Sequence, residues 1–253
     1  MGEKVNLKKD QWDDKHRPWP LPRQSWNMLQ TWRDLLFVHY PISLNVLRQL
    51  VPEGLQIDTF DGTGWIGIVP FQMTDIRLRG LPSVPGTSQF PELNVRTYVT
   101  VDGKPGVYFF SLDAPNRLAV WVANTIFHLP YKYSFTKMES NGPIFDFENK
   151  RKNNESISFH CSYKPISNAF SPPKGTFEEW MSERYCFYTM NKQGVALRCD
   201  IHHQPWELQH AEAECKVNTM LSNQNIPIDS NQPIYHFAKH LDVRIYPLVR
   251  VFE

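Results

Sequence analysis

One stretch of the sequence constrains the fold more than any other, because mainly apolar and mainly polar positions alternate between residues 93 and 101. A period of two residues is the pattern of a β-strand that buries one face. The turn Asp102-Gly103-Lys104-Pro105 follows, and a second apolar stretch covers residues 106–112. Together they predict a β-hairpin. The alternating apolar positions are Leu93, Val95, Val99 and Val101, with Thr97 between them.

Further segments extend this pattern along the chain. Strands are predicted at residues 56–60, 65–71, 156–163, 195–203 and 243–251, and helices at residues 26–37, 43–50, 115–128, from 176, and 206–221. Many strands with few helices, without strict alternation of the two, indicate an α+β, β-rich fold: an antiparallel or mixed β-barrel with a few flanking helices. The predicted core includes Val95, Val99, Ile157, Phe159, Leu197 and Ile201.

Length and charge limit what the chain can do. With 253 residues and 41% hydrophobic residues, it is long enough for either one large domain or two closely packed lobes. We expect a charged, proline-rich N-terminal tail over residues 1–22 and a single domain over residues 23–253. A formal net charge of +1 argues against nucleic acid as a partner. No apolar run approaches the roughly 20 residues of a membrane span, so no membrane partner is expected either. A homo-oligomer is compatible with the sequence.

The cysteines and the N-terminus both favour a cytoplasmic location. Residues 1–22 contain no apolar segment of the kind found in secretory signals. The four cysteines, at positions 161, 186, 199 and 215, include no Cys-x-x-Cys pair and are too few to crosslink a chain of this length. We therefore expect all four to be reduced thiols in the core.

Several motifs that suggest chemistry have simpler explanations. The G-x-G-x-x-G at residues 62–67 is followed by a strand pattern with Pro70, whereas dinucleotide binding needs a helix there. His202 and His203 are neighbours on a predicted strand, so they point to opposite faces and cannot share a metal. The sequence therefore predicts no metal and no cofactor. The Glu183–Arg184 step is interpreted as an ion pair on a helix face, with the border of a pocket as the alternative.

A set of short segments points to a family by its order and spacing. The segments are FVHY at 37–40, LVPEGL at 50–55, PELNVRTY at 91–98, GVYFFSLDA at 106–114, LPY at 129–131, SERY at 182–185 and HQPW at 203–206. Together they resemble the uncharacterised YqjF-like family of the acetoacetate-decarboxylase-like superfamily, over residues 18–251. The resemblance implies a β-barrel whose interior forms a small-molecule cavity.

In the wider superfamily a lysine forms an imine with a β-keto acid, and an arginine and a glutamate line the pocket. Carried over by position, the arginine corresponds to Arg33 and the glutamate to Glu92. The imine-forming lysine corresponds to Tyr131, and the lysine after it to Lys132. Because a phenol cannot form an imine, the resemblance implies a protein without acetoacetate decarboxylase activity.

Three functions remain open from the sequence. The first is a protein that binds a small carboxylate or keto acid, with Arg33, Glu92 and Tyr131 at the polar end of the cavity and Trp65 in its wall. The second is an imine-forming lyase that uses Lys132, which requires a rotated strand. The third is a protein–protein scaffold with a packed interior. Arg33 and Glu92 could also simply pair with each other.

Overall fold

The computed structural model describes residues 12–83, 88–222, 226 and 233–252. Within these residues twelve strands and three helices are assigned. The strands are β1 (Met28–Ile42), β2 (Gln56–Ile57), β3 (Gly64–Leu78), β4 (Phe90–Val101), β5 (Lys104–Ala114), β6 (Tyr131–Asn141), β7 (Ile144–Arg151), β8 (Ser158–Pro165), β9 (Cys186–Met190), β10 (Ala196–His202), β11 (Gln209–Asn218) and β12 (Ile234–Arg250). The helices are α1 (Leu44–Leu50), α2 (Arg117–Ile126) and α3 (Phe177–Ser182).

The β-rich prediction is confirmed, and so is the hairpin on which it was based. β4 and β5 pair antiparallel around the predicted turn, where Asp102 and Gly103 both have positive φ. The apparent dinucleotide motif is a turn at Gly62 followed by strand β3. All six residues predicted for the core are buried.

Seven strands close into a ring. β12, β1, β3, β4 and β5 form a continuous antiparallel wall, β5 continues in parallel into β9, and β9 and β10 lead back to β12. Closing a sheet in this way gives each of the seven strands a paired neighbour on both sides.

A second, larger circuit uses the same wall. β5 also pairs in parallel with β6, and β6, β7, β8 and β11 run antiparallel back to β12. The wall strands are therefore buried on both faces. In β1, Leu35 and Phe37 belong to the core of the seven-strand ring, and Leu36 and Val38 to the core of the second circuit.

Two predicted helices are strands. Residues 26–37 lie largely in β1, and residues 206–221 largely in β11. β1 has apolar residues on both faces because it separates two cores, and this gave a false helical spacing. β11 has the helix-favouring residues Ala211, Glu212, Ala213 and Glu214, but its pairing with β8 and β12 overrides that propensity.

The described part of the predicted tail packs against the sheet. Arg17 is buried, donates a hydrogen bond to the carbonyl of Ile201 and lies over the ring of Tyr185. Trp19 donates to a carboxylate oxygen of Asp200 at 2.9 Å. Residues 12–20 thus cover one end of β10. The single domain over residues 23–253 remains a prediction.

The three helices of the described residues are short. The longest, α2, has ten residues, about half the length of a membrane-spanning helix, and none meets the length and hydropathy of such a span. The helix predicted from residue 176 is α3, and at its start Thr176 accepts a hydrogen bond from the backbone N–H of Glu179, while the carboxylate of Glu179 accepts one from Gly175.

The prediction that all four cysteines are free is wrong for one pair. Cys161 on β8 and Cys215 on β11 are direct cross-strand partners, with Cα atoms 3.9 Å apart, and form a disulfide. The register of the two strands places both side chains together, and a sequence in which residue 215 reads as helical cannot show this. Cys186 and Cys199 are buried free thiols.

We expect alkylation of the denatured, non-reduced protein to modify two thiols, and alkylation after reduction to modify four. Intact-mass spectrometry counts the adducts. A Cys161→Ser variant is the matched control: it frees Cys215 and should raise the non-reduced count from two to three. Four adducts without reduction would contradict the crosslink.

Candidate functional site

The interior of the seven-strand ring contains a cavity of about 280 Å³. Every strand of the ring contributes to its wall, and most of the lining side chains are apolar. Taken around the ring from β12, the seven strands contribute, among others, the following lining residues: Ile245, Trp32, Phe71, Glu92, Phe109, Phe187 and Ile201. A largely apolar cavity with a few polar groups is the usual form of a small-molecule site.

Strand β4 supplies the polar groups on one side of the cavity. Glu92, Asn94 and Arg96 alternate along the strand and all line the cavity, while Leu93 and Val95 point into the second core. The sequence pattern predicted one buried and one exposed face for this strand. Both faces are buried, because the strand lies in the wall shared by the two circuits.

Two buried arginines form one polar region of the cavity, which we call the arginine end. The guanidinium groups of Arg96 and Arg184 both lie against the ring of Tyr98, at 5.6 and 4.9 Å from its centroid. In the part of the chain that the structure describes, Arg96 Nε and Arg184 Nη2 have no hydrogen-bond partner. The indole N–H of Trp206, another cavity residue, also lacks one. Buried donors of this kind are costly unless a ligand or water satisfies them.

Other contacts hold these arginines in place. Arg184 Nη1 forms an ion pair with Asp58, and its Nε donates to the carbonyl of Trp180. Burial lowers the pKa of Arg184, and the Asp58 carboxylate opposes that shift. Arg96 Nη2 contacts the hydroxyl of Tyr98 and the carbonyl of Met181, both at 3.4 Å. Each guanidinium is thus fixed by part of its donor set and keeps another part free.

Glu92 and Tyr131 form the second polar region, which we call the acid end. The Tyr131 hydroxyl donates to Glu92 Oε2 at 2.6 Å. Burial, with a smaller contribution from Asp113, raises the pKa of Glu92 to about 8, although the hydrogen bond from Tyr131 opposes this shift. Burial, with the neighbouring Glu92, also raises the pKa of Tyr131 well above its usual value. At neutral pH both groups are protonated, so the acid end can donate a hydrogen bond as well as accept one.

The charges of the lining residues, together with the charge of Asp58, sum to about one positive unit at neutral pH. Asp58 neutralises Arg184, protonation neutralises Glu92, and Arg96 carries the remaining charge. An unpaired charge in an apolar cavity is unfavourable by itself and becomes favourable when an anion binds beside it.

The DUF2071 family, described as an uncharacterized conserved protein, matches residues 29–242. The chain belongs to this family. It is 49% identical over 228 residues to the uncharacterized protein YqjF of Bacillus subtilis (strain 168), covering 90% of this chain and 94% of that protein.

Several solved structures have a similar fold, and they include an acetoacetate decarboxylase. An acetoacetate decarboxylase matches with a TM-score of 0.63 at 16% identity, covering 91% of each chain. The enduracididine biosynthesis enzyme MppR, complexed with the condensation product of pyruvate and imidazole 4-carboxaldehyde, matches with a TM-score of 0.64 at 10% identity, covering 90% of each chain. This DUF2071 protein therefore has the acetoacetate-decarboxylase-like fold that its sequence predicted.

The residues predicted for the site are only partly together in this DUF2071 protein. Glu92 and Tyr131 lie side by side in the cavity. Arg33 is exposed on β1, donates to Thr74 Oγ1 at 3.3 Å and is not among the described cavity residues. Arg33 is therefore neither the anchor of the cavity nor the partner of Glu92. Trp32, the residue before Arg33, lines the cavity, so the alternation of side chains along β1 turns Arg33 to the opposite face.

Trp65 and Lys132 lie elsewhere too. Trp65 packs against Phe177 with ring centroids 4.5 Å apart, and it is not among the described cavity residues. Lys132 is exposed and follows Tyr131 on β6, so it points to the opposite face. Arg184, by contrast, lies in the cavity, as in the alternative interpretation of the Glu183–Arg184 step. Arg96 was missed because its alternation with apolar residues suggested a solvent-facing position.

Metal binding has no structural support in the described residues. Within them, no cluster of three or more His, Cys, Asp or Glu side chains is arranged to hold a metal ion. His203 lies at the cavity wall with Nε2 3.2 Å from the carbonyl of Arg184, and burial lowers its pKa.

We expect Glu92→Gln to remove a pH-dependent loss of stability. Because the folded pKa of Glu92 is about 8 and its ordinary value is 4.5, the wild type loses stability as pH rises between these values. The variant should be more stable than the wild type above pH 8 by roughly 3–5 kcal/mol, as measured by urea denaturation from pH 5 to 9. Glu53→Gln makes the same exchange of a carboxyl for an amide at an exposed position, and it serves as the control. Parallel profiles for wild type and Glu92→Gln would contradict the burial of an ionisable group.

Proposed function

We propose that the cavity binds a small carboxylate, or a carbonyl compound that carries one, without forming an imine. The observation that carries the proposal is the pair of buried arginines that line this largely apolar cavity and have donors without a protein partner. A carboxylate can accept parallel N–H···O bonds from guanidinium groups, and burial strengthens such bonds. The indole N–H of Trp206 is a further donor at this wall.

The acid end gives the site a second recognition element. Protonated Glu92 can donate a hydrogen bond to a carbonyl or hydroxyl oxygen of the ligand. Its Oε2 atom accepts the hydrogen bond from Tyr131, which holds the carboxyl group in place. If Glu92 ionises above pH 8, it repels a bound anion and loses its donor. The affinity for a carboxylate should therefore be greatest at neutral and mildly acidic pH.

The cavity has no lysine amine, among its described lining residues, that could form an imine. The described residues that line the cavity include no lysine, and Tyr131 occupies the position that the resemblance assigns to the imine former. Lys132, the residue of the lyase alternative, is exposed on the opposite face of β6. The scaffold alternative would need a packed interior, and the cavity disfavours it.

The proposal places the protein in the cytoplasm, where small metabolic acids are made and used. In a reducing cytoplasm the Cys161–Cys215 pair would be held as two thiols. Alkylation inside the cell, before the protein is purified, should therefore modify both Cys161 and Cys215 if this part of the proposal is correct.

Ligand binding is tested by thermal-shift screening of small keto, hydroxy and unsubstituted acids. A ligand at 100 times its Kd adds about 2.7 kcal/mol of stability. Arg96→Met and Arg184→Met should each abolish the shift, with circular dichroism verifying that the variants are folded. Arg33→Ala is the matched control, because this arginine lies outside the cavity, and it should retain the full shift. A shift lost in Arg33→Ala and kept in the two cavity variants would overturn the proposed anchor.

We expect borohydride treatment with pyruvate or acetoacetate to give no covalent adduct in the wild type, because no amine faces the ligand. Tyr131→Lys would place an amine beside Glu92 in the cavity, and this variant should give a trapped adduct detectable by mass spectrometry. An adduct on Lys132 of the wild type would replace the binding function with the lyase.

A further inference from the structure

We infer that the ligand is a hydrophobic monocarboxylic acid with a body of about six to ten carbon atoms, lying with its carboxylate at the arginine end and its chain towards α2. This inference rests on the proposed function and names the ligand class of the same site. Four features of the cavity support it: the apolar middle, the spacing of its polar ends, its volume and its charge.

The polar ends are too far apart for a very small acid to fill the space between them. Arg96 and Glu92 are four residues apart on the same face of β4, which separates their Cα atoms by about 13 Å at the usual rise of a strand. Apolar side chains such as Phe71, Phe109 and Leu112 line the wall around them. Pyruvate bound at the arginine end would leave most of this apolar wall without a partner, whereas a longer chain would cover it.

The volume sets the size of the body. An engineered apolar cavity of about 150 Å³ in another protein accommodates benzene, which has six heavy atoms. By the same measure the cavity here, at about 280 Å³, holds roughly ten to twelve heavy atoms. Octanoate, with ten heavy atoms, is of this size.

Helix α2 forms the far wall and gives the chain an apolar end to meet. Leu118, Ala119, Val122 and Ala123 line the cavity, and residues 118–127 carry no Asp, Glu, Lys or Arg. Asn124 fixes the helix to the barrel through two hydrogen bonds with the backbone of Tyr131, at 2.9 and 3.2 Å. The only cation of the helix, Arg117, lies over the ring of Tyr133 and is not a cavity residue, so a second charged group on the ligand would meet no cation among the lining residues of α2.

The charge of the cavity selects for one carboxylate. Arg184 is already ion-paired with Asp58, so the site keeps about one positive charge in excess, that of Arg96. A monoanion neutralises it. A dianion would bring an uncompensated charge into the apolar wall at α2, which is strongly unfavourable.

The test is a titration calorimetry series at pH 7 with butanoate, hexanoate and octanoate, together with octanedioate and octan-1-ol. Each added methylene should tighten binding about fourfold, equivalent to about 0.8 kcal/mol, so octanoate should bind about 250-fold more tightly than butanoate. Octanedioate and octan-1-ol should each bind at least tenfold more weakly than octanoate.

The outcomes separate this inference from the proposed function. Equal affinities for butanoate and octanoate, or octanedioate binding as tightly as octanoate, would overturn the inference and leave carboxylate binding intact. Octan-1-ol binding as tightly as octanoate, or no binding by any acid, would overturn both.

A pair of variants on α2 locates the chain. Ala119→Phe adds bulk inside the cavity and should weaken octanoate binding at least tenfold while butanoate binding changes less than twofold. Thr125→Phe adds the same bulk at an exposed position of the same helix that is not a cavity residue, and it should leave the whole series unchanged. Equal effects of the two variants, or equal effects of Ala119→Phe on both acids, would show that the chain does not reach α2.

Discussion

The closure of the seven-strand ring is the constraint on which the rest of the structure depends. It is completed by two pairings that join residues distant in sequence, β5 with β9 and β10 with β12. With these contacts the strands surround a largely apolar cavity. Only such an enclosure makes the charges of Arg96 and Arg184 chemically consequential, because the same guanidinium groups on an open sheet would be solvated.

The enclosure also explains why so few polar groups define the site. Inside an apolar wall each unsatisfied donor is costly, so the described donors are held by protein partners wherever geometry allows, as Arg184 is by Asp58 and Trp180. At the arginine end, the donors left without a protein partner belong to residues that line the cavity. The protonated Glu92 fits the same logic, since an apolar environment favours its neutral form and thereby changes a repulsive group into a donor.

Much of this fold could be predicted from the sequence, because strand alternation is a local signal, as in the hairpin of β4 and β5. Two strands were predicted as helices, for opposite reasons. β1 is buried on both faces, so it does not alternate, whereas β11 does alternate at Ala211, Ala213 and Cys215 but is built from helix-favouring residues. Of the candidate site, Glu92 and Tyr131 could be located by resemblance. The proximity of Arg96 and Arg184 could not be predicted, because it depends on strand register and on the closure of the ring. No local sequence pattern contains that information.

The wall shared by the two circuits restricts how this protein can change over evolution. Along β4, odd positions such as Leu93 and Val95 fill one core, and even positions such as Glu92 and Arg96 face the cavity. Replacing a residue alters one compartment only. Inserting or deleting one residue in the strand would exchange the two sets, placing a carboxyl and a guanidinium in the packed core and leucine and valine in the site. Homologous proteins should therefore diverge in the identity of the cavity residues while keeping the length of this strand.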